Sequence, residues 1–495
     1  MIERLRPAVR DQSVLLTVAF VIGAATTAVG AVMTVPMMVS VFYAEWDSAF
    51  GIGLAAAVTI ATGLVLWHVV GRSGPIGVRE GFATVGATWF VLSMFGTLPY
   101  LFTGSIVGPT DAFFESASGF TTTGASILTD PGQLSLGIGV WRGLTQWMGG
   151  MGIIVLSVAI LPLLGTGGVQ LARAESPGHS PDRLTPRFQE TAKRLWLVYV
   201  GFTVLLIVLL ALGEMTAYQS VVHALTTMST GGFGTEATSI SLFSGYTQWV
   251  ITIFMFLAGA SFALHFRALR KPVEYLRDAE LRLYTAIIVV AVVVVVGGLL
   301  RDTSLSDAVR DAAFSVVSIV TTTGFATVDF GSWRPALQIL IVGLMFLGGM
   351  AGSTAGSVKT FRVGVLSKAG STDLRRIVHP RGVFPVRFGT TSVPDKVVES
   401  VQSFFLFYML LFVSGTFLLT FIDANVTERL DLVTAASAVA SSLGNIGPGL
   451  GEVGPTGTYA AIPGLGKWLL ADLMIIGRLE IFPVLLLFTR DLWHR

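Results

Sequence analysis

The sequence predicts an all-α polytopic membrane protein: two leading transmembrane helices, then four pseudo-symmetric helix–pore-loop–helix repeats about one central axis. Three observations carry that expectation. The composition is too apolar for a water-soluble chain, ten apolar runs have membrane-crossing length, and one glycine-turn pattern occurs four times. Only 13% of the 495 residues are charged, 53% are hydrophobic and 56 are glycine, with a mean hydropathy of +0.74. Soluble domains carry roughly 25% charged residues and about 7% glycine, so a water-soluble enzyme is excluded. Against 30 acidic residues stand 32 basic ones, a net charge of +2 that is too balanced to suggest a nucleic-acid partner. The chain has no cysteine, which excludes disulfides, thiolate metal sites and cysteine nucleophiles.

A helix needs about 20 mostly apolar residues to cross the hydrocarbon core. Such runs lie at about 14–42, 49–71, 80–103, 138–165, 192–213, 244–268, 280–300, 334–364, 397–422 and 465–489. The clearest, Leu283 to Leu300, contains no charge. Arg4, Arg6 and Arg10 precede a first run too long for a signal peptide and without a convincing cleavage site, so it reads as a retained anchor. With both termini cytoplasmic, every second connection lies inside, and the basic residues fall there. They are Arg72 and Arg79; Arg173, Arg183, Arg187, Lys193 and Arg194; Arg267, Arg270, Lys271, Arg277 and Arg282; and the stretch from Lys359 to Lys396. The outer side receives Glu45, Asp47, Asp111, Asp130, Asp302, Asp307, Asp311, Asp329, Asp423, Asp431 and Glu452, a set that would concentrate cations there.

Four segments align: DAFFESASGFTTTGAS from Asp111, YQSVVHALTTMSTGGFGT from Tyr218, DAAFSVVSIVTTTGFAT from Asp311 and DLVTAASAVASSLGNIGPG from Asp431. Three start with an acid at one fixed distance before a glycine. Each places a short stretch, about half of what a crossing requires, ahead of a Ser/Thr-rich turn ending in Gly124, Gly231, Gly324 or Gly444. Each unit reads as span, half-helix, glycine turn, span, and four of them around an axis make one central pore. Non-helical backbone at membrane depth has to line a water-filled path or be buried in protein. Four re-entrant turns meet that condition by pointing carbonyls at a partly dehydrated cation, with glycine supplying φ > 0. Hydroxyls of Thr121 to Thr123, Ser229, Thr230, Thr321 to Thr323, Ser441 and Ser442 add the oxygen ligands that suit a hard cation.

These turns, together with FLGGMAGSTAGSVKT from Phe346, IGRLEIFPVLLLF from Ile476 and the two extra leading spans, resemble the TrkH/KtrB/HKT superfamily of potassium transporters, and within it the TrkH type. The resemblance covers nearly the whole chain. It implies a gated, channel-like potassium-uptake subunit of the cell inner membrane rather than an enzyme, with K+ as the transported ion and no organic cofactor. It assigns the filter to Thr122, Thr123, Gly124, Ser229, Thr230, Gly231, Thr322, Thr323, Gly324, Ser442, Leu443, Gly444 and Asn445. Gly124 stands where some plant relatives that carry sodium have serine, which implies potassium, with rubidium accepted. In the fourth turn Leu443, Asn445 and Pro448 replace the Thr-rich pattern, so imperfect fourfold symmetry and modest exclusion of sodium are expected. The resulting division is a leading domain at 1–75, pore repeats at 76–168, 192–270, 278–365 and 397–495, and a cytoplasmic linker at 366–396.

Run 334–364 is interrupted by Gly348, Gly349, Gly352 and Gly356, with Ser353, Thr354 and Ser357 between them and Lys359 near its end. Each interior glycine costs about 1 kcal/mol relative to alanine, so a continuous helix is not expected. The residues alone also suit close small-residue helix packing; the resemblance implies an intramembrane gate loop. Its counterpart in the first repeat, Gly149-Gly150-Met151-Gly152, has no comparable Ser/Thr cluster. Arg478 lies mid-span in the last run, where an uncompensated cation costs at least ~2.5 kcal/mol. Either Glu480, a carbonyl or a buried Asp472 clamps it, or, as the resemblance implies, it is an electrostatic barrier in the ion path.

GSTAGSVKT has the wrong spacing for a phosphate loop, Thr354 stands where a hydrolase elbow needs serine, and the six histidines show no metal-site spacing. His223 reads as a packed or vestibule residue. The connections 166–191 and 365–396, polar and basic with Pro177, Pro181, Pro186, Pro380, Pro385 and Pro394, read as solvated linkers or docking surfaces. The resemblance implies a homodimer in membrane lipid, one pore per protomer, and a cytosolic ring of TrkA-type subunits binding NAD and ATP. Symport of potassium with a proton or sodium is the alternative, and it calls for an ionisable residue at the filter, where none stands. A receptor or scaffold gives no reason for four aligned turns.

Overall fold

Lipid offers backbone groups no hydrogen-bond partners, so apolar runs of this length fold as helices. The computed structural model describes residues 6–70, 78–159, 184–426 and 429–489, and helices dominate it. Arg4, Arg72, Arg173, Arg183, Pro177 and Pro181 lie outside the described residues, as do the side chains of Arg6, Arg10, Arg79, Arg187 and Pro186. Leading the chain are Arg6–Val32, continued by Thr34–Phe42, and Trp46–Val70. The two elements meet backbone to backbone: a Cβ on Gly23 would lie 2.6 Å from the Trp67 nitrogen and one on Gly30 2.9 Å from the Ile60 nitrogen. This is the small-residue packing that lets helices associate in lipid.

The rest of the chain runs four times through outer helix, pore helix, extended turn and inner leg. The outer helices are Val78–Gly96 with Leu98–Phe102, Leu184–Ala211, Ala279–Leu299 and Asp395–Ala424. The pore helices are Pro109–Phe120, Ala217–Met228, Leu305–Val320 and Leu432–Gly444. Each pore helix starts on a recognisable signal. Pro109 occupies the first turn of one; Thr216 and Gln219 form a capping box on the next; Ser304 and Asp431 accept from Asp307 N and Thr434 N on the others. Their C-terminal halves are buried throughout, Ala112 to Phe120 in the first and Val222 to Met228 in the second.

The inner legs are where the ten expected spans are modified. Among the described residues six helices are long and apolar enough to cross a membrane, or seven counting Gly245–Ala258 with Phe262–Ala268, which meet at 99°. The third leg is Pro335–Met345, then a loop, then Thr360–Val378; the fourth is Gly464–Arg478, then Phe482–Leu487. Only the first, Leu136–Ala159, continues unbroken through Gly149 and Gly150. Those glycines act by absence of a side chain: a Cβ on Gly149 would strike the Phe120 carbonyl, and one on Gly150 would lie 2.9 Å from Ser229 Cα. Leg one therefore passes directly beneath the first two turns.

Candidate functional site

After each pore helix the chain enters the left-handed region twice, with one residue between. The pairs are Thr122 and Gly124, Thr230 and Gly232, Thr322 and Gly324, and Asn445 and Gly447, with φ of 53 to 57° at the first member and 77 to 106° at the glycine. The same capping bonds precede them: Thr122 N, Thr230 N, Thr322 N and Asn445 N donate to Gly119, Thr227, Ile319 and Ser442 carbonyls. Most telling is what each glycine faces. A Cβ on Gly124 would strike the Gly231 carbonyl, one on Gly232 the Thr323 carbonyl, one on Gly324 the Ile446 carbonyl, and one on Gly447 would lie 2.8 Å from the Thr123 carbonyl. The contacts run from repeat one to two, three, four and back to one, so the turns close a ring.

This ring corrects the sequence alignment in two repeats. The left-handed glycines are Gly232 and Gly447, not Gly231 and Gly444. Ser442, Leu443 and Gly444 are the last turn of the fourth pore helix, with Leu443 packed in the apolar core. The alignment began on acids that occupy different places: Asp431 is an N-cap, Asp111 lies in a first helical turn, and Asp311 lies inside a helix. Measured from the N-cap, Gly108 to Gly124, Thr216 to Gly232 and Asp431 to Gly447 span the same length, and the third repeat is one helical turn longer.

Several of the hydroxyls are engaged within the protein. Thr121, Thr321, Ser229 and Ser441 donate to backbone carbonyls, and Thr121 and Thr321 also pair with Thr123 and Thr323 at 2.7 and 2.8 Å. They stiffen the turns from behind. Thr230 Oγ1 donates to the adjacent Ser229 carbonyl. Thr122 Oγ1, Ser442 Oγ and Asn445 Oδ1 are buried without a protein partner. Over the ring opens a cavity of about 260 Å³ whose lining includes Gly124, Gly232, Gly324, Gly447, Arg142 and Glu236. Behind it Gln146 donates to the Gly231 carbonyl at 2.6 Å and accepts from Phe233 N at 3.1 Å. His223 is a packed residue, bonded to Thr235 Oγ1 at 3.1 Å and flanked by Phe243 and Phe325.

Below the ring, a two-residue parallel bridge, Leu347 with Val358 and Gly348 with Lys359, ties off a loop holding Gly348, Gly349, Gly352, Ser353, Thr354, Gly356 and Ser357. Left-handed residues at Gly352 and Ser357 fold it back on itself. The loop reaches three repeats directly. Met350 N donates to Gly259 O at 2.8 Å, Thr354 Oγ1 to Met228 O at 3.2 Å, and Gly356 N to Thr322 Oγ1 at 2.7 Å, while a Cβ on Gly356 would lie 3.0 Å from Asn445 Cβ. Lys359 Nζ donates to the Ala355 carbonyl within the loop. Glu280 holds both limbs, accepting from Ala351 N at 2.7 Å and Phe361 N at 3.1 Å.

Arg478 is 2% exposed and stands at the break of the fourth inner leg, where the first of its two helices ends. Its partners are carbonyls: Thr354 O of the loop at 2.6 Å and Gly149 O of the first inner leg at 3.2 Å. Neither acid proposed for it from sequence serves. The chain reverses at Glu480 and Ile481, both with positive φ, and Glu480 pairs with Arg362 at 2.6 Å; Asp472 is exposed. The acids on the side where the pore helices begin are largely committed to structure as well. Asp130, Asp329 and Asp431 cap helices, Asp111 pairs with Lys467 at 2.6 Å, and Asp302 with Arg334 at 3.1 Å.

Glu115, Arg142, Gln146, Glu280, Arg362, Gly232 and Gly447 were not singled out from sequence. For the two glycines, N-cap spacing was a usable signal; the others act through partners remote in the chain.

A family model described as the cation transport protein TrkH matches residues 48–494. The Trk system potassium uptake proteins TrkH of Halomonas elongata and Escherichia coli are each 38% identical over 475 residues, covering 94% and 93% of this chain and 96% of each relative. The crystal structure of the potassium transporter TrkH from Vibrio parahaemolyticus matches with a TM-score of 0.89 at 35% identity, over 97% of this chain and 100% of that one.

Proposed function

The chain belongs to the TrkH family of cation transport proteins, and on that premise we propose that it takes up potassium through a central pore filtered by the four-glycine ring. The observation that carries this reading is the closed circuit of contacts in which each left-handed glycine abuts a carbonyl of the next repeat. Such a ring is a collar of backbone oxygens at fixed spacing, the ligand set for a partly dehydrated hard cation. The filter comprises Thr122 to Gly124, Thr230 to Gly232, Thr322 to Gly324 and Asn445 to Gly447. A hundredfold preference over sodium needs only ~2.7 kcal/mol between the two ions.

The loop from Gly348 to Ser357 is the gate. Its bonds to Gly259, Met228 and Thr322 support a segment lying across the axis, and the Arg478 guanidinium, bonded to Thr354, adds positive charge at the same level as a barrier to cations. Movement of the loop exchanges those bonds for a conducting path. The relatives' names speak of a Trk system, which supports control by partner subunits; we place a cytosolic nucleotide-binding ring on the basic stretch 366–396, both termini in the cytoplasm of a homodimer in the inner membrane, and the repeat boundaries at 76–168, 192–270, 278–365 and 397–495.

The test is the reversal potential of the purified protein in a planar bilayer, with potassium on one side, sodium on the other and equal pH. A value near that for potassium is expected. A value near zero sinks the filter, and a reversal that follows an imposed pH or sodium gradient at fixed potassium replaces passive conduction by symport.

A further inference from the structure

Beside the ring lies an ion pair that the mechanism above does not use. Glu115, fully buried in the first pore helix, accepts from Ser126 Oγ at 3.0 Å, Ile127 N at 3.1 Å and Arg142 Nε at 2.9 Å. Arg142, 3% exposed on the first inner leg, reaches across to the second repeat. Its Nη1 donates to the Gly234 carbonyl at 3.2 Å, its Nη2 to Ser126 Oγ at 3.3 Å, and its guanidinium carbon stands 4.1 Å from the Phe233 ring centroid. Ser126 and Ile127 lie one residue beyond the first turn, and Phe233 and Gly234 directly follow the second. One ion pair therefore holds the outer ends of two neighbouring turns.

Two features argue that this is more than packing. A buried ion pair is a poor route to stability, since apolar residues of similar volume serve as well or better. It also occurs at one junction: at the place of Glu115, counted back from the glycine, the other pore helices carry His223, Ser315 and Ala438. The planar fork matters, because lysine offers a point charge that can neither bridge these acceptors in one plane nor stack on Phe233 in the same way.

We infer that Arg142, oriented by Glu115, is a positioning residue that fixes the spacing of the first and second turns and thereby sets discrimination between potassium and sodium; this rests on the ring being the filter. A collar held open at one size cannot contract onto the smaller ion. The experiment is the permeability ratio of full-length protein in planar bilayers under potassium and sodium gradients, with thermal stability and elution profile in detergent measured alongside. Wild type comes first, and absence of potassium preference there defeats the filter reading itself. Given a selective wild type, Arg142→Lys, which keeps a cation opposite Glu115, lowers the ratio about tenfold while still conducting potassium. Phe233→Leu, which leaves the ion pair intact, lowers it about threefold, and it decides the matter if Arg142→Lys does not fold. A stability loss with the ratio at its wild-type value in the folded variants makes the pair structural and overturns the inference.

Discussion

The ring and the layer beneath it are built from the same four repeats, yet only the ring keeps their symmetry. At Gly124, Gly232, Gly324 and Gly447 one backbone device occurs four times, down to the capping bonds that precede it. A few residues further along, the inner legs take four forms: unbroken at Leu136–Ala159, bent by 99° in the second, opened into a loop in the third, and broken after Arg478 in the fourth. Under the proposed function the difference has a reason: coordinating an ion needs equivalent oxygens from every side, whereas obstructing an axis needs one segment, and four equal loops would collide there.

The largest expected effect comes from breaking the symmetric layer at its least regular member. Gly447 has φ of 106°, and a Cβ there would lie 2.8 Å from the Thr123 carbonyl. Left-handed backbone alone costs an L-residue about 1 to 2 kcal/mol, before the collision. Gly447→Ala should therefore cut the potassium preference by at least about tenfold. Gly444→Ala is the matched control: its Cβ would meet the movable end of Ile446 at 3.0 Å and the Met345 carbonyl at 3.2 Å, and the permeability ratio should stay within about threefold of wild type. If Gly444→Ala proves the more damaging, the filter register read from sequence returns.

That pair also marks where the sequence could and could not be read. Spans were legible because lipid imposes length and apolarity, and the existence of four turns was legible because Ser, Thr and Gly cluster where helices stop. Register was not. Ser441 to Gly444 has a turn's composition but forms the last turn of a helix, and the left-handed position it precedes is filled by Asn445 instead of threonine. In the second repeat Gly231 and Gly232 are adjacent, and composition does not say which has positive φ. The loop at 348–357 was visible as a glycine-broken run, and a carbonyl was among the partners open to Arg478, but Glu280 was not legible, since the backbone N–H groups it accepts from leave no trace in side-chain identity. Arg142 and Glu115 were hidden for another reason: they are partners across two helices, and each alone is one charge in an apolar run.

The asymmetric layer should respond in flux, not selectivity. Arg478 bonds the loop to the first inner leg through Thr354 O and Gly149 O. Arg478→Met removes both the clamp and the positive charge, and basal potassium flux without any partner should rise about tenfold, hydrogen bonds to charged groups being worth roughly 1.5 to 3 kcal/mol. Reduced yield with unchanged flux per folded protein would make Arg478 a structural strut only. A smaller change is expected where loop and ring touch. Thr322→Val keeps the branched shape but takes the acceptor from Gly356 N, a bond of 2.7 Å. At about 1 kcal/mol the closed state should weaken roughly fivefold, with the potassium to sodium ratio unchanged. A fall in that ratio would mean that gate and filter move together, and the separation of the two layers would fail.

The smallest effect concerns the approach to the ring. An acidic face concentrates cations only where its charge is near the mouth and uncompensated. Asp302 is not among the residues lining the cavity and is paired with Arg334 at 3.1 Å, while Glu236 lines the cavity above the four glycines and accepts from Gln219 at 3.1 Å. Single-channel conductance at low salt, where the screening length is about 30 Å at 0.01 M, should fall about twofold in Glu236→Gln and stay at the wild-type value in Asp302→Asn. At 1 M salt, with screening over about 3 Å, both should match wild type. Equal losses in the two variants at low salt would assign the attraction to the charge of the whole face, and the local chemistry of the cavity would then contribute nothing to ion entry.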